Sequence, residues 1–433
     1  MTIYSENITP DSFSGALFAV EGIAGACTVL NGPTGCKFYH SAISESQLPR
    51  GPAGNPLSSA LGEFWFGMPR IPSTYLDGND YVFSSRDKLE RLLRSLGGGR
   101  FGLVGVINSP GAALIGDDVE RLLAETVRGV PAFALETTGF STTFGSGYQK
   151  ALGLAVDVLG KKGGGARPKT VNLLGLGIYQ KYFEGNYAAL KRLLALCGIE
   201  VLSAPGAGDP SGAFARIAEA EINIAVYPEY SLHLAEKLRA GYGTPFLSPK
   251  EGPPIGFDST ESFVREVSAA LGADPAPALA AVEAARARAY RYLLPVTAAL
   301  CDPRGALFSV SAEASTAYAL VKWLVSYLGM IPASVSPAVE EETPFSGALK
   351  DYLASIDRAE ALERPMLETP APIVFADGNT IAALRLAGRR CCGVEISLPT
   401  LNYLDLTEKS LLGGEGALFL LEQVINGLRY AAG

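Results

Sequence analysis

The chain is predicted to be an α/β protein of three Rossmann-like domains whose parallel sheets are flanked by helices. Three observations predict this. Short apolar runs of β-type residues alternate with helical stretches along the chain, and a βαβα rhythm implies a parallel sheet covered on both faces. A length of 433 residues with 48% apolar composition suits about two to four domains, each with its own core. Two stretches interrupt the rhythm, the lysine- and glycine-rich segment 161–168 and the Ala/Arg-rich helix 278–294. They divide the chain into 1–165, 166–275 and 276–433.

The first unit opens at Thr9-Pro10-Asp11-Ser12, where Asp11 or Ser12 is the N-cap of a helix. The stretch from Gly22 to His40 holds Cys27 and Cys36. In Gly32-Pro33-Thr34-Gly35-Cys36, proline fixes one backbone angle and the glycines allow positive ones, so a thiol can be presented from bare backbone. That is how a loop offers sulfur to a metal; a small buried thiol under a turn carries the same signature. Lys37, Tyr39 and His40 follow directly, and His40 is the candidate proton donor because imidazole exchanges a proton near neutral pH.

A proline-rich polar segment, 41–60, reads as irregular cover. A helix follows over 86–96, then a buried strand over 101–107 that ends at Asn108-Ser109-Pro110-Gly111. The apolar run at 132–135 is a second strand and 148–160 a helix. Val171 to Gly177 starts the second unit, but it is no dinucleotide fingerprint because the third glycine is missing. Its later strands are 199–202, 222–227 and 245–247, with Cys197 packed inside at the end of a helix. The third unit has strands at 307–310 and 372–375 and helices at 314–328 and 379–388. Adjacent Cys391 and Cys392 point apart and read as core.

Composition excludes several functions. Lys+Arg total 36 against Asp+Glu 44, a net charge of −8 with no basic block, so a nucleic acid partner is not expected. No run approaches the ~18 apolar residues that span a bilayer, and the first residues lack the regions of a signal peptide; a cytoplasmic protein without a membrane partner is expected. Six cysteines, including Cys301, are too sparse for a disulfide scaffold of this size, and two histidines leave little for an imidazole-rich zinc site or a set of Ser-His triads. No Gly-x-x-x-x-Gly-Lys-Ser/Thr occurs, so the chain should not hydrolyse ATP itself.

Several motifs carry a resemblance. The small-residue helix Ser14 to Ile23 leading into Gly-Pro-x-Gly-Cys, the Asp80-Tyr81-Val82-Phe83 segment followed by Lys88-Leu89, the Ile115-Gly116-Asp117-Asp118 element and the Thr137-Thr138-Gly139-Phe140 loop together resemble nitrogenase component 1 type proteins. Tyr242-Gly243-Thr244-Pro245 and the Gly413 to Ala417 helix start are similar to later parts of that family. The resemblance implies three Rossmann-like domains around a central cleft. It also implies an iron–sulfur cluster, a subunit-bridging [4Fe–4S], held by Cys36. Asp11 falls where the family has its first cluster cysteine and Pro110 where it has the third. Asp11 is therefore a candidate metal ligand, Cys27 a second candidate thiol without family counterpart, and Gly35 and Ser109 candidate cofactor contacts.

Lys37 and His40, directly after the cluster loop, are the candidate catalytic residues. The family position for a cofactor-binding cysteine falls on Tyr227, and no histidine follows His233, so a nitrogenase cofactor held in that way is not expected; another metallocofactor or a tetrapyrrole in the cleft is the remaining cofactor expectation. The implied partners are a homologous component 1 subunit or a second copy of the chain, an ATP-hydrolysing iron protein, and a small reducible substrate. Two other readings stand beside a reductase subunit: a non-catalytic scaffold for a metallocofactor, and a metal-free three-domain binding module.

Overall fold

The computed structural model describes residues 10–36, 40, 71–96, 101–136, 142–161, 165–299, 302–337, 342–397 and 405–432. Lys37, Tyr39, the 41–60 segment, the Thr137 to Ser141 loop and Cys301 lie outside the described residues. Every strand pairing within the described residues is parallel, as the alternating sequence predicts. The strands form three sheets.

The first unit runs α1 (Ser12–Glu21), β1 (Ala26–Asn31), α2 (Gly78–Phe83), α3 (Arg86–Ser95), β2 (Leu103–Asn108), α4 (Pro110–Ala113), α5 (Val119–Thr126), β3 (Ala132–Leu135) and α6 (Phe144–Leu159), with strand order β1-β2-β3. Asp11 is the N-cap of α1, accepting from the Ser14 amide at 3.0 Å. Asp77 and Asp80 form a reciprocal capping box on α2. Helices α1 and α6 cross at backbone contact. A Cβ at Gly15 would fall on the Phe144 carbonyl oxygen, and one at Gly147 on that of Ser12. This crossing also ties down the start of α1, through the Ser12 amide donating to the Thr142 carbonyl and the Asp11–Thr143 bridge.

Gly147→Ala is therefore expected to separate the two helices and lower unfolding stability by about 2–3 kcal/mol, the upper range of overpacking effects, read as a shift of the urea midpoint. An unchanged midpoint would show that the crossing has room to spare.

The second unit contains β4 (Arg167–Leu174), α7 (Phe183–Leu196), β5 (Glu200–Ser203), β6 (Ala220–Ala225), α8 (Leu232–Tyr242), β7 (Phe246–Leu247) and α9 (Phe257–Ala270), in strand order β5-β4-β6-β7. The long helix α10 (Ala276–Ala299) leads on to β8 (Leu307–Ala312), α11 (Ala314–Leu328), β9 (Ile331–Pro337), α12 (Pro344–Ser355), β10 (Ile373–Asp377), α13 (Gly378–Leu386), β11 (Cys392–Ser397) and α14 (Gly413–Ala432). Their sheet has the order β11-β10-β8-β9. Cys197 is buried at the end of α7, and Cys391 is buried beside β11, in line with their reading as core. No helix of the described residues is long and apolar enough to cross a membrane.

Three strands are absent from the sequence reading. β1 hides between glycines in the cysteine stretch, β9 carries prolines at Pro332 and Pro337, and β11 begins on the cysteine pair. Glycines bound β1, prolines lie within β9 and a glycine lies within β11, residues that mask a strand locally, so pairing with an existing sheet selects each.

Candidate functional site

The candidate site is built at the carboxyl ends of β1 and β2. These strands are paired in register from Ala26 opposite Leu103 to Asn31 opposite Asn108, so two asparagines end the ladder side by side. The Asn31 amide donates to Asn108 Oδ1 at 2.9 Å and to the Ser85 hydroxyl at 3.1 Å. Asn31 Oδ1 accepts from the Thr74 hydroxyl at 2.9 Å, which in turn accepts from the Gly32 amide at 3.0 Å. Asp117, from the Ile-Gly-Asp-Asp element, accepts from the Ser85 amide at 2.7 Å and hydroxyl at 2.8 Å and from the Ser84 hydroxyl at 2.8 Å. Asn31, Thr74, Ser85 and Asn108 are buried, and such a connected network rigidifies what it carries. What it carries is the turn Gly32 to Cys36.

On that turn the Cys36 thiol is half-buried. Burial pushes the thiol up from its ordinary range, and the nearby Asp11 carboxylate adds to the rise. Tyr81 of α2 reaches the same point. Its phenol is raised by burial and by the Cys36 sulfur, and it is hydrogen-bonded to Ser109. Ser109 is buried and caps α4, accepting from the Ala112 amide at 3.2 Å. Gly32 must be glycine, because a Cβ there would press on Ser109. Gly35 is exposed, and among the described residues nothing lies within 4 Å of where its Cβ would stand. Cys36 thus feels the charge of Asp11, and Tyr81 that of Cys36 together with a bond to Ser109, groups supplied by four elements, and Ser109 precedes Pro110.

The structure separates the other thiol candidate from this point. Cys27 lies at the start of β1 opposite Val104, buried at 5% exposure among Val29, Leu89 and Val106 in a satellite core. A strand rises about 3.3 Å per residue, so Cys27 stands roughly 13 Å short of the strand end that leads to Cys36. It does not share a site with Cys36, and its alternation-matched place in an apolar cluster explains its burial. His40 is also interior, edge-on to Phe18 with ring centroids 4.7 Å apart. Among the described residues no group of three or more His, Cys, Asp or Glu side chains could hold a metal ion. Among the described residues, then, the site offers one thiol, Cys36, and one carboxylate, Asp11.

Tyr81 and the asparagine pair escape a reading of motifs for ligands. A usable signal exists, since each of two apolar strands ends on asparagine immediately before a turn. Val82 and Phe83, next to Tyr81 on α2, and Leu114, just after α4, are exposed at 74%, 80% and 81%. A cavity of about 520 Å³ lies far away in sequence, at the start of β8 and β9 beside Arg358 and Arg364, and contains none of these residues.

Comparison with known proteins follows the same lines. A family model described as nitrogenase component 1 type oxidoreductase matches residues 12–429. One of the subunits of the light-independent protochlorophyllide reductase of Rhodospirillum rubrum is 34% identical over 116 residues, 27% of this chain and 20% of the relative. Its counterpart from a Synechococcus species is 34% identical over 160 residues, 34% of this chain and 28% of the relative. The chain thus matches between a fifth and a third of the length of these relatives. A solved structure, nitrogenase Cp1 at pH 6.5, superposes with a TM-score of 0.76 over 96% of this chain and 91% of the other, at 16% identity; that likeness is one of fold.

Proposed function

The chain belongs to the nitrogenase component 1 type oxidoreductase family, and from that premise we propose that it is a subunit of a nitrogenase-like reductase that holds part of a subunit-bridging iron–sulfur cluster. The observation that carries this reading is the half-exposed Cys36 thiol on a turn held by the Asn31–Asn108 network, with the Asp11 carboxylate near enough to act on it electrostatically. The donor set fits part of such a group: a soft thiolate and a carboxylate both ligate iron, and a four-iron cluster takes about four ligands. The other ligands would come from a homologous subunit or a second copy of the chain. When bound, the cluster supplies a low-potential one-electron carrier.

This chain's residues do the rest. Cys36 and Asp11 hold, the Asn31–Asn108 pair and Asp117 keep the turn from relaxing, and Tyr81, anchored on Ser109, closes one side of the thiol. The exposed Val82, Phe83 and Leu114 offer apolar side chains to a protein partner, in keeping with a homologous subunit and an ATP-hydrolysing iron protein as electron donor. The substrate is a small reducible molecule, and the protochlorophyllide reductase relatives favour a tetrapyrrole.

A second reading, a scaffold that carries a cluster without turnover of its own, draws support from the centre of the molecule. Tyr148, Tyr179 and Tyr230 are buried there in mutual edge contact, with centroids 4.5–6.3 Å apart, beside Tyr227 at the position where a cofactor-binding cysteine would stand. Iron and acid-labile sulfide should be measured on protein purified without oxygen after co-expression with its genomic neighbours. About two to four irons per dimer, with matching sulfide, are expected for a bridging cluster. No iron would leave the metal-free binding module, and iron without turnover in the presence of an iron protein would select the scaffold.

A further inference from the structure

Two carboxylic acids meet where the second and third sheets turn toward each other. Sheet order β5-β4-β6-β7 sends the connections after β4 and β6 in opposite directions, and order β11-β10-β8-β9 does the same at β8 and β10. Each sheet therefore has a switch point at its carboxyl edge, the place where open α/β sheets hold ligands. Glu229 follows β6 and Glu313 follows β8. At 1% and 8% exposure, both are buried.

Their bonds run between the units. One Glu229 oxygen accepts the Ser315 amide and the other the Ser315 hydroxyl, both at 2.8 Å. The second unit thus caps α11 of the third, whose own N-cap residue, Glu313, makes no side-chain cap. The Thr343 hydroxyl at the start of α12 lies 3.5 Å from Glu229. Glu313 accepts from Tyr230 at 3.0 Å. From α6, Gln149 donates to the Glu229 carbonyl at 3.1 Å while its own oxygen takes the His233 amide at 2.8 Å.

The charged and titratable groups facing the pair are each other and the phenols of Tyr227, Tyr230 and Tyr179. Among the described residues no lysine or arginine neutralises either acid. Two carboxylates in one dry site cannot both ionise cheaply. Burial pushes Glu229 up to about 7 against its hydrogen bonds from Ser315, with the Glu313 charge adding to the rise. Burial raises Glu313 as well.

We propose that Glu229 and Glu313 are a proton-held latch between the second and third units: a proton kept by the pair holds the joint at the two switch points shut, and its release to solvent lets the joint open. The direction follows from linkage. A carboxyl that binds its proton more tightly in the closed joint stabilises that joint fully below its ordinary value of 4.5, and the stabilisation is lost as pH rises through about 7.

Hydrogen exchange of the full-length protein, read at the start of α11 and at 228–231 between pH 5 and 8 and corrected for intrinsic rates, tests this. Opening should increase about 50-fold over that range in the wild type and level off above it. Glu229→Gln keeps an acceptor for the Ser315 amide without a charge, so its exchange should start at the protected level and rise much less with pH, by the share that Glu313 alone contributes. Glu229→Ala should be open throughout. Glu313→Gln, which keeps the Tyr230 bond and removes the like charge, should show a smaller rise. A flat wild-type profile, or an unreduced rise in Glu229→Gln or in Glu313→Gln, would overturn the latch.

Discussion

Replacing Cys36 with alanine is expected to leave the anaerobically purified protein without iron while its circular dichroism and melting stay near wild type. The separation of the two effects has a physical basis. The turn is held by bonds that do not involve sulfur: the Gly32 amide to Thr74, Thr74 to Asn31, and the Asn31–Asn108 pair. The thiol itself is half-exposed, so its removal empties little core. A thiolate ligand to iron has no substitute in alanine. Asp11 is less clean, because it is also the N-cap of α1 and its loss to alanine costs about 1 kcal/mol of helix stability. Asp11→Asn keeps the cap and weakens the ligand, and partial iron loss is expected.

Cys27→Ala supplies the contrast. Cys27 sits in the satellite core away from the turn, so iron content should be retained and about 1 kcal/mol of stability lost with the buried sulfur. Full iron in Cys36→Ala, or iron lost equally in Cys27→Ala, would remove the assignment of the cluster to this turn.

The largest stability effect is expected at Lys181. Its ammonium is 2% exposed, 3.5 Å from Glu395, whose side chain is fully buried, and 2.5 Å from Asp405. The lysine belongs to the second unit and both acids to the third. Around it the segment after β11 is clasped to α7. Asn186 accepts from the Leu411 amide at 2.8 Å and from the Ser410 hydroxyl at 3.1 Å, and a Cβ at Gly185 would fall on the Lys409 carbonyl oxygen. Lys181→Met keeps the volume and removes the charge, leaving Glu395 buried without its lysine.

A loss of about 3–5 kcal/mol is expected in urea unfolding followed by tryptophan fluorescence. Pairing it with Glu395→Gln should recover much of that loss, since replacing both partners of a buried pair is often close to neutral. An additive double variant would show that the two charges do not interact. Asp405 retains a cation in Lys409, at 2.8 Å, and is expected to matter less.

What could be read from the residues alone was periodic or local. The alternation of apolar strands and helices predicted parallel α/β sheets, because it records which side chains must face a core. Asp11 was legible as a cap and Gly32 to Cys36 as a thiol-presenting turn, because both depend on neighbours a few residues away. Their meeting with Tyr81 and Ser109 was not legible. Nothing near residue 11 in sequence says that its carboxylate will act electrostatically on a sulfur 25 positions later. Cys27 stood as a second candidate beside Cys36 because composition cannot say which end of a strand a thiol occupies, and β1 itself emerges only on pairing with β2. Nothing in the sequence singles out Lys181, Glu229, Glu313 or Glu395. Their burial was decided by the tertiary structure, which brings together sheet edges far apart in the chain and strips water from acids and cations that solvation would otherwise keep outside.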